Sequence, residues 1–157
     1  MELMIKQRVF SWSDTYDVFD SNGEPRYYVK AEILSLGHQI HVYDKRSGQE
    51  VGSIHQRLFT LLPTFDIVIG GQTLGSVRRE FSLFTPRYRV DFRGWEVTGD
   101  FMGWNYTACK DGQEVLSVSK ELLTWGDTYV LRYRTVADEL SGLLLVIAID
   151  ATNCNDD

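Results

Sequence analysis

Residues Leu143 to Ile149 form an unbroken apolar run, the only one of that length in the chain. It sits inside a longer stretch, Leu140 to Ala151, that has to be enclosed. Upstream, Thr135-Val136-Ala137-Asp138 fits a capping box, with Thr135 as N-cap and Asp138 at N3. Glu139 adds negative charge to the first turn, where the helix dipole favours it. These signals predict a helix from about Asp138 to Thr152, roughly 22 Å long. Being apolar all round, it is expected to be buried all round. The alternative is a buried strand, since Val146, Ile147 and Ile149 are β-branched. The capping signal and a length unusual for a strand favour the helix. The run is too short to span a bilayer, which takes about 20 residues.

The rest of the chain reads as β. Turn signals recur at Ser21-Asn22-Gly23, Ser47-Gly48, Gly70-Gly71, Arg93-Gly94 and Asp111-Gly112, between short segments of apolar alternation. The chain also repeats itself. Gly48 to Ile54 recurs as Gly112 to Val118, and Trp12 to Tyr16 as Trp125 to Tyr129. Both belong to one pattern seen four times. An aliphatic residue (Ile5, Ile54, Val77, Val118) is followed by a turn former (Asp14, Pro63, Pro86, Asp127). Next come an aromatic (Tyr16, Phe65, Tyr88, Tyr129) and a second aliphatic (Val18, Ile67, Val90, Leu131). Each copy reads as strand, turn, strand, with Pro or Asp shaping the turn. Arg26 to Val42 and Trp95 to Cys109 each fit two further strands.

The expected architecture is therefore mainly β, with about twelve antiparallel strands. The reading takes residues 1–157 as one domain with an internal duplication. The halves span about 1–70 and 71–135, and the central helix about 138–152. Closing the sheet into a barrel removes its edges. A barrel that wide leaves space that strand side chains cannot fill, and the C-terminal hydrophobic helix is the expected filler.

Ile5-Lys6-Gln7-Arg8-Val9-Phe10, Leu36-Gly37-His38 with Ile40-His41-Val42-Tyr43-Asp44, and Leu143 to Ala151 resemble the LURP-one-related family, in particular its small bacterial members. The resemblance covers nearly the whole chain. It implies the tubby C-terminal-like fold, a twelve-stranded barrel around a central hydrophobic helix. Tubby domains bind phosphoinositides, and phospholipid scramblases resemble the same fold. No lipid-binding motif of those proteins aligns here, so no site residue is carried over.

Several classes of function recede on the residues themselves. A formal net charge of −6 and a pI near 5.0 argue against nucleic-acid binding. Cys109 and Cys154 have neither metal nor redox spacing and read as reduced thiols. Met1 to Lys6 has no basic n-region or long apolar core, so no signal peptide is expected. The expected location is the cytoplasm, with the inner membrane face as a surface the protein visits. His38 and His41 are three apart and would face opposite sides of a strand, and nothing in sequence places His55 beside them. No metal site, cofactor or catalytic residue is assigned. Asp14-Thr15 and Asp127-Thr128 read as turns, and Trp12, Trp95, Trp104 and Trp125 as packing.

One stretch stands out. In Pro86 to Gly94, strand alternation puts Tyr88, Val90 and Phe92 on one face and Arg87, Arg89, Asp91 and Arg93 on the other. Arg78 and Arg79 lie nearby in sequence. The expected site is thus Arg87, Arg89, Arg93, Arg78 and Arg79, taking anionic phospholipid or a phosphorylated ligand. The competing reading is a solvated face whose arginines pair with neighbouring carboxylates. The function expected is a non-enzymatic binding or scaffold module. An enzyme with a site at a barrel mouth, or a pure protein-interaction domain with an unspecified partner, are the alternatives.

Overall fold

The computed structural model describes residues 1–6, 15–34, 37–85, 87–123 and 126–154. Among them lie twelve strands: β1 (Glu2–Lys6), β2 (Thr15–Asp20), β3 (Pro25–Leu34), β4 (Gly37–Asp44), β5 (Glu50–Gln56), β6 (Thr64–Ile69), β7 (Gln72–Glu80), β8 (Arg87–Phe92), β9 (Glu96–Asp100), β10 (Asn105–Lys110), β11 (Gln113–Leu123) and β12 (Gly126–Tyr133). A 3₁₀ turn, Val136–Asp138, leads into the helix α1 (Glu139–Cys154). All strand pairings are antiparallel, in the order β8-β7-β6-β5-β4-β3-β2-β1-β12-β11-β10-β9. Pairing of β1 with β12 curls the sheet into a nearly closed barrel.

The expected twelve-stranded barrel with its C-terminal helix is what forms, open along one seam. β8 and β9 end the order and do not pair. Aromatic side chains occupy this seam. Tyr88 packs edge-on against Phe101 with centroids 4.8 Å apart, and Phe92 against Trp95 at 5.6 Å.

The four-copy pattern has a simple geometric meaning. Its two aliphatic positions face each other across a hairpin: Ile54 opposite Ile67, Val77 opposite Val90, Val118 opposite Leu131. The pairing of Leu3 with Asp20 and Met4 with Phe19 carries Ile5 and Val18 into the same register. Most of these side chains are fully buried. The spacing is therefore that of a hairpin whose inward residues meet. The copies fall on β1–β2, β5–β6, β7–β8 and β11–β12, the first and last hairpins of each six-strand set, with Tyr16 on β2 and Tyr129 on β12. Trp12, Trp125, Asp14 and Pro86 lie outside the described residues. Asp127 is not a turn residue. It lies within β12 opposite Leu122, with its carboxylate 3.4 Å from Lys120 Nζ.

Antiparallel alternation sorts the connections to two ends. All five glycine turns noted in the sequence fall at one end, between β2 and β3, β4 and β5, β6 and β7, β8 and β9, and β10 and β11. At Gly70-Gly71 both φ angles are positive (61° and 76°), as at Asp111-Gly112 (50° and 77°). Paired positive φ matches the strand twist and lets two residues close a hairpin. The other end carries the β5–β6 and β7–β8 connections, each longer than any of the glycine turns.

The helix runs from the glycine-turn end toward the loop end. Every residue from Ser141 to Thr152 is buried, as an all-apolar surface requires. Its start differs from the expectation. The Thr135 hydroxyl bonds the Asp138 carboxylate at 2.8 Å rather than a backbone amide, and the amide of Asp138 donates to Thr135 O at 2.9 Å. That closes a 3₁₀ turn first and moves the α-helix one residue on. The fit between helix and wall is reciprocal. A Cβ on Gly52 in β5 would lie 2.7 Å from Leu144 Cδ1, and one on Gly142 in the helix 3.0 Å from Leu116 Cδ1 in β11. Gly52 and Leu116 hold matching places in the repeated segment. On one wall the strand yields to a helix leucine; on the other the helix yields to a strand leucine.

Glu139 ties the helix start to both neighbours. Tyr27 Oη donates to its Oε1 at 2.6 Å, Tyr133 Oη to its Oε2 at 2.5 Å, and Arg26 Nε lies 3.2 Å away. Burial, then the hydrogen bond and charge of Glu139, push both phenols well above their ordinary range. A raised phenol pKa adds stability that is complete below about pH 10 and lost as pH rises further. Glu139→Gln is expected to cost about 2 kcal/mol near neutrality. It should also make the loss of stability above about pH 10 shallower. Urea unfolding at neutral and alkaline pH measures both.

Candidate functional site: an arginine hairpin beside two apolar loops

Because Val77 and Val90 pair across β7 and β8 facing the core, their strand neighbours face out. Arg78 stands directly opposite Arg89, Glu80 opposite Arg87, and Ser76 opposite Asp91. Arg78, Arg87 and Arg89 are exposed. Among the described residues none of these three side chains forms an ion pair; the arginine pairs there are made by Arg26, Arg57 and Arg132. The carboxylate on the next strand, Asp66, is held by Arg57, whose Nη2 lies 2.6 Å from Oδ1. Like charges directly opposite on a sheet destabilise it, so Arg78 and Arg89 form a site that an anion would relieve. Arg57, Arg78, Arg87 and Arg89 face Asp66, Glu80 and Asp91, a local excess of one positive charge on an acidic protein.

The other two expected site residues do not join this group. Arg79 lies on the inward parity of β7 opposite Tyr88 and is half-buried. Arg93 follows the end of β8 at the glycine-turn end, with φ 57°. Its Nη1 donates to Ser141 Oγ at 2.7 Å, and its guanidinium lies over the Trp95 ring. Strand alternation stops at Phe92, so extending it to Arg93 misplaced that side chain.

At the end of this hairpin, the β5–β6 loop (57–63) and the β7–β8 loop (81–85) lie side by side. A cavity of about 430 Å³ lies against them, lined by Arg57, Arg78 and Glu80 together with Leu61, Leu62 and Phe81. That is large enough for a phosphate-bearing headgroup. The loops expose Phe59 (103%), Leu61 (99%), Phe81 (77%), Leu83 (78%) and Phe84 (95%). Leu34, Leu58, Met102 and Leu122 are exposed at this same end, against only Met1, Leu74 and Val136 toward the other, among the described residues. The signal for these loops was in the sequence: 58–63 and 81–86 contain no charged residue.

A second polar cluster lies on the outer face of β4 and β5. Their register brings His55 to Gln39 and His41 to Ser53. The His41 and His55 rings lie 6.2 Å apart, a proximity that sequence spacing alone does not reveal. His41 Nδ1 lies 2.6 Å from Glu50 Oε1, and Ser53 Oγ lies 2.8 Å from His55 Nε2. Burial, then the charge of His41, lowers the His55 pKa. The Ser–His contact has a base-and-nucleophile look, but Ser53 is only 5% exposed. It nonetheless lines, with His41, Glu50 and His55, a cavity of about 420 Å³ on this face. Among the described residues no cluster has the makings of a metal site.

Comparison with known proteins agrees with this architecture. The chain matches the LURP-one-related family over residues 1–150. It is 33% identical to the Bacillus subtilis protein YxjI, described as uncharacterized, over 100% of this chain and 96% of that one. An Arabidopsis thaliana protein known from an X-ray structure has the same fold, with a TM-score of 0.66 at 18% identity, covering 97% of this chain and 90% of the other. With the family matched along nearly its whole length, the chain belongs to the LURP-one-related proteins.

Proposed function

We propose that the protein is a non-enzymatic binding module. Its ligand is an anionic group, a lipid headgroup or a phosphorylated compound, taken at the outer face of β7 and β8. The observation that carries this reading is the cross-strand pair Arg78–Arg89, with Arg87 alongside, none of them neutralised by a carboxylate among the described residues. The cytoplasmic leaflet, which carries anionic lipid, is the surface this site would meet. No helix among the described residues is long and apolar enough to cross a membrane.

Magnitude sets a limit. Each arginine near an anionic leaflet contributes about 1 kcal/mol, so three give about 3 kcal/mol. A millimolar complex needs about 4 kcal/mol, and Glu80 and Asp91 subtract from the total. Binding through arginines alone is therefore weak and falls with salt, since exposed charges are screened beyond about 8 Å at physiological ionic strength.

Replacing Arg78, Arg87 and Arg89 together by Gln is expected to abolish co-sedimentation with strongly anionic vesicles at low salt while the protein stays folded, with thermal unfolding no lower than in wild type. A soluble polyphosphate competing for the same site separates the two ligand sources. If wild type ignores both probes, or the triple variant binds equally well, the anion reading fails.

A further inference from the structure

We infer that the protein docks end-on to a lipid bilayer, inserting the apolar tips of the β5–β6 and β7–β8 loops while Arg78, Arg87 and Arg89 meet the headgroups. This rests on the anionic-surface reading and names its partner. Four observations converge on it. Phe59, Leu61 and Phe84 are each at least 95% exposed, so they project from the barrel into solvent even where, as at Leu61, they edge the cavity. Phe59 holds a φ of 57°, a strained conformation for a bulky residue, and it presents its ring to solvent. Neither loop carries a charge between Leu58 and Pro63 or between Phe81 and Thr85, so entry into the apolar interface desolvates no ion. The unpaired arginines sit on the hairpin directly behind these tips, the arrangement in which apolar burial and attraction to anionic lipid add.

The asymmetry of the barrel gives the orientation. The glycine turns at the far end are short and polar, with Ser, Asn, Lys and Arg around them. Insertion also supplies what three arginines lack. Replacing Phe59, Leu61, Leu83 and Phe84 by Ser should weaken partition onto anionic vesicles at physiological salt on the order of a hundredfold.

The deciding experiment places a reporter at each end. Phe84→Trp and Val136→Trp both substitute exposed side chains. Each variant is mixed with phosphatidylserine–phosphatidylcholine vesicles whose acyl chains are brominated. Fluorescence is read against the unsubstituted protein, which carries the same four native tryptophans. The expected result is quenching of the added emission in the Phe84→Trp variant and none of it in the Val136→Trp variant. Sedimentation with vesicles but no quenching in either variant overturns insertion and leaves headgroup binding standing. Equal quenching in the two variants overturns the end-on orientation. Absence of sedimentation overturns insertion and headgroup binding alike, leaving a soluble phosphorylated ligand for the arginines and a protein partner for the apolar loops.

Discussion

Ending the chain after Arg134 yields a protein that does not fold cooperatively. The twelve strands would all be present, but the barrel they line would be hollow. Leu143, Leu144, Leu145, Val146, Ile147 and Ile149 are each at most 1% exposed. Burial of such a side chain is worth about 1.5–3 kcal/mol, so losing six together, about 9–18 kcal/mol, is as large as the whole stability of about 5–15 kcal/mol typical of a domain. The wall would suffer too, since Ile40, Ile54, Phe65 and Ile67 belong to the same continuous core as the helix. Near-UV circular dichroism and urea titration of the truncated chain measure this. A soluble product with a single sharp transition would show that the barrel stands without its helix.

Gly75→Ala is expected to cost more than alanine at the strand glycine Gly52. A Cβ at that position would fall 2.2 Å from the carbonyl oxygen of Asp91 and 2.9 Å from the Cα of Phe92. Both are backbone atoms of β8, so no side chain can turn away to make room. β7 and β8 must part, and overpacking of this kind costs about 1–3 kcal/mol or more. Gly52→Ala meets only the tip of Leu144 and should cost less. Gly48→Ala has nothing within 4 Å and bears only its positive φ, about 1–2 kcal/mol. Urea unfolding of the three variants should rank Gly75 above Gly52. A Gly75→Ala protein as stable as wild type would show that β7 and β8 do not approach so closely. The same variant bears on function, because parting these strands separates Arg78 from Arg89.

Much of the fold was legible because apolar periodicity reports which side chains are inside. The run Leu143 to Ile149 implied enclosure, and the regular spacing from Ile54 to Ile67 recorded a hairpin. What escaped was whatever depends on local competition. Thr135 had two acceptable partners for its hydroxyl, and the carboxylate of Asp138 won. Asp127 looked like a turn former, yet β12 begins before it. Closure of the sheet depends on whether β8 and β9 find each other, and Tyr88, Phe92, Trp95 and Phe101 occupy that seam instead. For the site, alternation correctly put Arg87 and Arg89 on one outward face. It could not say that Arg78 stands opposite Arg89, since register is a property of two strands. It carried Arg93 one residue past the end of its strand. The apolar loops were visible as uncharged segments, but reading Pro63 and Pro86 as punctuation drew attention away from the leucines and phenylalanines beside them.

If one end of the barrel is its working end, a bilayer should protect that end and no other. Amide hydrogen exchange of the intact chain, with and without anionic vesicles at physiological salt, reads this out along the sequence. Exchange is expected to slow in residues 57–63 and 81–85, with the turns at Asn22-Gly23, Ser47-Gly48, Gly70-Gly71 and Asp111-Gly112 unchanged. Slowing centred on those glycine turns or on the histidine face of β4 and β5, or no change anywhere, would show that the loop end is not where the protein works.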